Sequence, residues 1–217
     1  MHLLQTVLEE IIENMDKRRL EITNLRRILL HYVGKPLEST VVRMAIPLLY
    51  ANWEGYVREV CQLYLEFIEA SGVCLRELKS DLLGYLWTPN LKPLTGGLNF
   101  ERKKAIADLA LNCMEDPVLF SDSERSINTK SNLNFDVLID IAAHLCLDFS
   151  SFAFWKQRLN ALVNLRNNIA HGSIPSTLDY DLFEEHASTL INMMEEFERI
   201  LLQALENRQF CSNINPL

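Results

Sequence analysis

The chain has 217 residues, 48% of them hydrophobic, so it can bury a sizeable core and is expected to form one globular domain. Its formal net charge of −8 argues against a general nucleic-acid coat, because such proteins are basic. The charge is unevenly placed: residues 178–206 carry a net −7, which leaves −1 for the rest of the chain. A polyanion is therefore expected to bind elsewhere than at this last segment.

The cysteines and the apolar runs indicate a cellular location. Five cysteines without a CxxC pair or a Cys/His cluster predict reduced, buried thiols, and we expect neither a metal nor a cofactor. Acidic residues interrupt the apolar positions near the N-terminus, which is unlike a signal peptide. No apolar run is long enough to span a membrane. These features predict a soluble, cytoplasmic protein with no membrane partner.

Helical spacing of apolar residues dominates the first half of the chain. It predicts a long amphipathic N-terminal helix over residues 3–32, which ends at Gly34. A second helix is predicted over 39–70, capped by its first serine, and Pro47 should either kink it or mark its true start. A third, shorter helix fits residues 75–87 and is closed by the Thr-Pro pair that follows.

The middle of the chain alternates between loops and helices. Residues 88–98 have loop composition, and a helix is predicted over 100–115. The polar stretch 116–132 is irregular. Asn134 is then a plausible N-cap for a helix over 135–146.

Two further helices complete the pattern. The first is predicted over 152–170, with Gly172 at the position of a C-terminal cap, and the last over 178–206, capped by Thr177. There is no alternation typical of a strand and no internal repeat. The chain is therefore predicted to be all-α, a bundle of long antiparallel helices.

One short segment points to a specific chemistry. Arg166, Asn167 and His171 lie within six residues at the end of the helix predicted over 152–170. A guanidinium can hold a phosphate by two parallel hydrogen bonds, and an imidazole is well suited to moving a proton near neutral pH. Together they are a minimal set for cleaving RNA without a metal.

This Arg-Asn-x-x-x-His pattern, near the end of the penultimate long helix of an all-α chain, resembles the signature of the HEPN superfamily. Two more segments, 48–57 and 129–134, are similar to segments of related HEPN proteins. The resemblance implies a four- or five-helix bundle, a homodimer, and metal-independent endoribonuclease activity of the kind found in bacterial toxin–antitoxin and phage-defence systems. It also implies one composite active site, where two motifs meet across the dimer interface.

We accordingly expect residues 1–217 to form a single HEPN-like domain with a core over about 40–206, preceded by the N-terminal helix. Helical geometry is compatible with a shared site. Asn167 and His171 stack on one face, whereas Arg166 lies about 140° round the helix from His171. One helix cannot easily aim both Arg166 and His171 at a single phosphate, but two facing copies could.

Each motif residue then has a hypothetical role. His171 would act as general base on the ribose 2′-hydroxyl or as general acid for the leaving 5′-oxygen, depending on the subunit, to give a 2′,3′-cyclic phosphate. Arg166 would stabilise the pentacovalent phosphate, and Asn167 would orient the histidine or the phosphate. Glu54 would be a polar auxiliary. A small basic cluster could contact RNA phosphates: Arg102, Lys103 and Lys104.

Structural alternatives remain for these residues. Arg166 and His171 could be helix-end cations placed there by the helix dipole alone, and Glu54 could be a solvated acid. The basic cluster could be a solvated helix start. Three aromatic residues at helical spacing are expected in the core rather than stacked on bases: Tyr50, Trp53 and Tyr56. Two histidines without a partner pattern are expected on the surface: His31 and His186.

Functional alternatives remain as well. The rival to a nuclease is a catalytically silent HEPN module that binds a partner protein or a nucleotide, and the acidic net charge favours this rival. A nuclease held inactive until a phage or nucleotide signal arrives is a third alternative. The acidic segment 178–206 could dock a basic antitoxin. Ser173 stands where some HEPN toxins carry a tyrosine that their partner modifies, which argues against that form of neutralisation.

Overall fold

The computed structural model describes residues 2–91, 100–173 and 177–212. Its α-helices are α1 (His2–Leu30), α2 (Glu38–Ala70), α3 (Ser80–Leu91), α4 (Phe100–Asn112), α5 (Asp122–Arg125), α6 (Phe135–His144), α7 (Lys156–Ala170) and α8 (Tyr180–Glu206). Short 3-10 turns precede α3 and α7, at Leu75–Glu77 and Ser150–Trp155. The described residues contain no strand, only two isolated bridges, so the all-α prediction is confirmed.

The three longest helices, α1, α2 and α8, form the centre of the bundle. Helix α1 is antiparallel to α8, because Arg19 pairs with Glu195 at 2.6 Å and Arg26 pairs with Glu184 at 2.6 Å. Helices α2 and α8 run in the same direction, because their first residues meet where the N–H of Tyr180 donates to Glu38 at 3.0 Å, and their middles meet where Tyr56 donates to the carbonyl of Met194 at 3.1 Å. These two ion pairs within the chain, Arg19 with Glu195 and Arg26 with Glu184, neutralise part of the negative charge of α8.

An aromatic cluster attaches α7 to this centre. The ring centroid of Phe197 on α8 lies 6.4 Å from that of Trp53 and 6.1 Å from that of Tyr56, both on α2. The ring centroids of Phe149 and Phe152, which precede α7, lie 4.8 and 6.2 Å from that of Phe197. Burying each such ring stabilises the fold by roughly 1.5–3 kcal/mol, which fixes the start of α7. The three aromatic residues predicted in the core are all buried: Tyr50, Trp53 and Tyr56.

The helix caps agree with the predictions in part. Asn134 caps α6 as predicted, since its side chain accepts the N–H of Val137 at 3.0 Å. Thr177 does not cap α8. Asp179 does so instead, because its carboxylate accepts the N–H of Leu182 at 2.9 Å and also favours the positive end of the helix dipole.

Pro47 does not mark the start of the second helix, because α2 is continuous from Glu38 to Ala70, and Glu38 precedes the serine that was predicted to cap it. A proline removes the N–H that would bond to the carbonyl of Arg43 one turn earlier. The helix persists because residues on both sides of the proline, Ile46 and Leu49, are fully buried. Their packing outweighs the missing hydrogen bond.

The third helix differs from its prediction. A 3-10 turn and an extended residue precede α3, because the N–H of Lys79 bonds to the carbonyl of Phe210 at 2.8 Å and ties this segment to the end of the chain. Helix α3 then continues to Leu91, so the Thr-Pro pair does not close it. The rest of the predicted loop, residues 92–98, lies outside the described residues. Helices α4 and α6 end three and two residues earlier than predicted.

All five cysteines are free, as predicted, although only Cys61 and Cys211 are fully buried. In the described part of the chain, no three histidine, cysteine or acidic side chains are grouped so that they could hold a metal ion. None of the helices that the structure describes has the length and apolar character needed to cross a membrane.

His186 is buried, so its predicted surface position is wrong. It lies on the apolar stripe of α8 with Phe183, Ala187 and Leu190, and 7% of it is exposed. Burial lowers the pKa of His186, against the opposing effect of the Glu185 carboxylate. Folding therefore disfavours the protonated form of this imidazole.

A pH dependence of stability follows. In the unfolded chain His186 titrates near its ordinary pKa of about 6.5. Below that pH the unfolded state binds more protons than the folded state, so the free energy of unfolding should fall as the pH is lowered from 7 to 5. Denaturant unfolding at both pH values should show a smaller fall for His186→Gln than for the wild type. Equal falls would contradict this account of His186.

Candidate functional site

The end of α7 meets α2 and the segment before α6. The guanidinium carbon of Arg166 lies 4.5 Å from the centroid of the Tyr50 ring, and Nη1 of Arg166 donates to Oδ1 of Asn167 at 2.8 Å. Nδ2 of Asn167 in turn donates to Oδ1 of Asn132 at 3.2 Å. We call these four residues the arginine cluster. It joins the motif to both of the other segments that resemble HEPN proteins.

Tyr50 is the buried residue on which the arginine cluster rests, since its ring lies under the Arg166 guanidinium. Its side chain is buried, and its hydroxyl accepts the N–H of Leu133 at 2.6 Å. Burial raises the pKa of the Tyr50 phenol, and the Glu54 carboxylate acts in the same direction, whereas the Leu133 N–H and the Arg166 guanidinium oppose it. The phenol therefore stays neutral and offers its ring face to the cation.

A strained turn positions Asn132 within the arginine cluster. Lys130 and Ser131 have φ values of +53° and +51°, in the left-handed region that non-glycine residues rarely adopt, and the N–H of Asn132 bonds to the carbonyl of Thr129 at 3.1 Å. Each such residue costs about 1–3 kcal/mol, so contacts around the turn must hold it. One of them is the Thr129 hydroxyl, which donates to Glu54 on α2 at 2.5 Å.

His171 lies where α7 ends. Its N–H bonds to the carbonyl of Asn167 at 2.9 Å, and its side chain is exposed. Gly172 follows with φ +85°, and the N–H groups of Gly172 and Ser173 bond to carbonyls in the last turn at 3.1 and 2.9 Å. This is the C-terminal cap predicted at Gly172. No described residue forms a hydrogen bond with the imidazole, so it is available to a ligand.

The charge of Arg166 is not neutralised locally. Its side chain is half-buried, and no carboxylate of the described residues forms an ion pair with it. Apart from the Nη1 contact with Asn167, the guanidinium has no hydrogen-bond acceptor within the part of the chain that is described. A partly desolvated, unpaired guanidinium is a strong site for an anion such as a phosphate.

The other predicted site residues fall into two groups. Glu54 lies at the edge of the arginine cluster, linked to it through the turn that carries Asn132. The basic cluster lies at the start of α4. The side chain of Arg102 is outside the described residues, and Lys103 and Lys104 are exposed without a described hydrogen bond to the arginine cluster. A role for this cluster in RNA contact remains a prediction.

Two members of the arginine cluster were not predicted as site residues. Tyr50 was expected only in the core, and Asn132 was noted only within a segment of family resemblance. The available signal was that resemblance, since segments 48–57 and 129–134 both contact α7. Helical periodicity alone cannot show that Arg166 lies over the Tyr50 ring.

The chain matches the model of the HEPN_MAE_28990-like HEPN family over residues 7–210 and therefore belongs to this family. The match includes α2, the strained turn and α7, so the predicted HEPN membership is confirmed. No curated protein and no solved structure matches the chain at the level at which a relationship would be accepted.

Proposed function

We propose that this HEPN protein is a metal-independent endoribonuclease that acts as an RNA toxin or defence effector in the cytoplasm, with a composite active site at a homodimer interface. The observation that carries the proposal is the pairing of two features at the end of α7. Arg166 holds an unpaired guanidinium on the Tyr50 ring, and His171 offers a free imidazole five residues later.

The chemistry requires one base and one acid. The 2′-oxygen attacks the phosphorus while its proton passes to a neutral imidazole, and the bond from phosphorus to the 5′-oxygen breaks as a protonated imidazole supplies a proton to that oxygen. Each copy has one His171, so two copies supply both groups. The products are a 2′,3′-cyclic phosphate and a 5′-hydroxyl.

Arg166 would stabilise the extra negative charge on the pentacovalent phosphate through its free N–H groups. The Asn167 side chain contacts Arg166 and Asn132, so we assign it the role of orienting the guanidinium. Glu54 is proposed as an auxiliary that fixes the strained turn from the α2 side.

Exposed apolar side chains on α2, the helix that carries Tyr50, support the dimer. Met44 and Leu48 on α2 are 67% and 54% exposed. With Ala51 they recur at helical spacing on one face of α2, about 100–160° round the helix from Tyr50. A second copy that covered this face would remove these large apolar groups from water.

Product analysis tests the proposed activity. Purified protein should cleave a mixed pool of single-stranded RNA in the presence of a chelator, leave DNA of the same sequence intact, and yield 2′,3′-cyclic phosphate ends. DNA should survive because it lacks the nucleophilic hydroxyl. An uncut RNA pool, together with normal growth of cells that express the wild type, would favour the silent binding module instead.

A further inference from the structure

A second unpaired arginine lies beside the arginine cluster. Arg58 is eight residues after Tyr50 on α2, which places it about 12 Å further along the helix axis and about 80° round the helix. Glu54 lies between Tyr50 and Arg58 on the same side of α2. The Arg58 side chain is exposed and has no ion pair or hydrogen bond with the described residues.

The acidic residues nearest to Arg58 in sequence are engaged elsewhere. A glutamate four residues before an arginine is the favoured arrangement for a helical ion pair, and Glu54 has this position relative to Arg58. Oε1 of Glu54 instead accepts the hydroxyl of the buried Thr129 at 2.5 Å. The next residue after Arg58, Glu59, pairs with Arg18 of α1 at 2.9 Å. Arg58 therefore has no ion-pair partner among the described residues.

Arg58 and Arg166 both influence the Tyr50 hydroxyl. Burial and the Glu54 carboxylate raise the pKa of the Tyr50 phenol, and both guanidinium groups lower it, so both cations lie close enough to influence this hydroxyl. In a chain with a net charge of −8, these two unpaired arginines outnumber the Glu54 carboxylate that lies near them, so they form a local basic track. Such a track attracts the phosphates of a single strand.

We propose that Arg58 binds a phosphate of the RNA strand next to the scissile one, and that Thr129 is a positioning residue that keeps Arg58 available by holding Glu54. This inference rests on the proposed function, because it assumes that the ligand is RNA. It gives the strained turn two roles. At one end of the turn, Asn132 orients Arg166 through Asn167. At the other end, the Thr129 hydroxyl holds the Glu54 carboxylate and so keeps it from pairing with Arg58.

Binding of a fluorescently labelled single-stranded RNA of mixed sequence to the non-cleaving His171→Ala dimer tests the proposal. Arg58→Gln should raise Kd and reduce the slope of log K against log salt by about 0.7 for each phosphate that the variant no longer binds. Arg27→Gln is the matched control, because Arg27 is an exposed arginine on α1 that forms no ion pair with the described residues. It should leave the slope unchanged.

The role of Thr129 has its own readout. Thr129→Val removes the hydroxyl at nearly constant volume and should weaken RNA binding as Arg58→Gln does, because Glu54 is then free to pair with Arg58. Adding Glu54→Gln to Thr129→Val should restore the slope, which a merely structural defect would not do. Unfolding midpoints confirm that each variant is folded.

Three outcomes would overturn the inference. Equal slopes for Arg58→Gln and Arg27→Gln, with RNA still bound, would exclude the Arg58 contact and leave the proposed function intact. Failure of Glu54→Gln to rescue Thr129→Val would exclude the positioning role. Absence of RNA binding by the parent dimer would overturn the proposed function itself, and this inference with it.

Discussion

Replacing His171 by alanine should lower the rate of RNA cleavage by on the order of 10²–10⁴-fold, the usual contribution of a positioned acid or base. The effect should be large because one substitution removes both the acid and the base from a symmetric dimer. Expression of the wild type should slow the growth of the host, whereas His171→Ala should not. Because His171 is exposed at the end of α7, the unfolding midpoint should change little.

His31→Ala is the matched control, since His31 is also exposed and follows the end of a long helix, α1. It should retain wild-type cleavage and wild-type growth inhibition. A His171→Ala protein that cleaves RNA as fast as the His31→Ala control would remove the imidazole from the mechanism.

Replacing Arg166 by lysine should lower kcat by about 10²–10³-fold, the range seen when one group that stabilises a transition-state charge is removed. Lysine retains the positive charge but cannot make two parallel hydrogen bonds to a phosphate. It also loses the flat stacking on Tyr50 and the contact with Asn167 that orient the guanidinium. KM should change less than kcat, because the charge that attracts RNA remains.

Arg158→Lys provides the control for this substitution. Arg158 lies two turns earlier on α7, and its guanidinium also lies over an aromatic ring, that of Phe154, at 5.4 Å. If the only role of each arginine were to stack on a ring, Arg166→Lys and Arg158→Lys should have the same kcat. Steady-state kinetics that showed equal kcat for Arg166→Lys and the wild type would contradict the role given to Arg166.

The fold was predictable where the sequence signals are local. Helical periodicity and the absence of strand alternation predicted an all-α chain, and Asn134 and Gly172 predicted where helices begin and end, because capping depends on a few adjacent residues. Thr177 failed as a cap because Asp179, two residues later, offers a carboxylate to the same helix start. Aspartate ranks above threonine as an N-cap, so the sequence did carry a signal for Asp179.

Two other differences have another cause: α2 does not begin at Pro47, which excludes one of the two alternatives predicted for it, and His186 is not on the surface. Pro47 lies within a helix whose buried residues hold it together, and His186 lies on a buried stripe although its neighbours in sequence are acidic. The spacing of His186 from Phe183 and Leu190 was a readable signal of burial, which the acidic composition of the segment obscured. In both cases tertiary packing outweighed the local preference.

The candidate site was predictable only in part. The motif itself was visible in the sequence, because three functional residues lie within six positions. The contact of Arg166 with Tyr50 and the link from Asn167 to Asn132 were not, since these pairs are separated by 116 and 35 positions and depend on how α7 packs. The absence of an ion pair at Arg58 could not be predicted either, because it depends on the contact that Glu54 makes with Thr129.

The central claim is that two His171 side chains, one from each copy, serve a single site, and mixed dimers test it most directly. Co-expression with two different tags allows purification of dimers that contain one wild-type copy and one His171→Ala copy. A composite site predicts that cleavage by the mixed dimer falls close to that of the His171→Ala dimer. Half of the wild-type activity, or full activity of a monomer, would show independent sites and contradict this account.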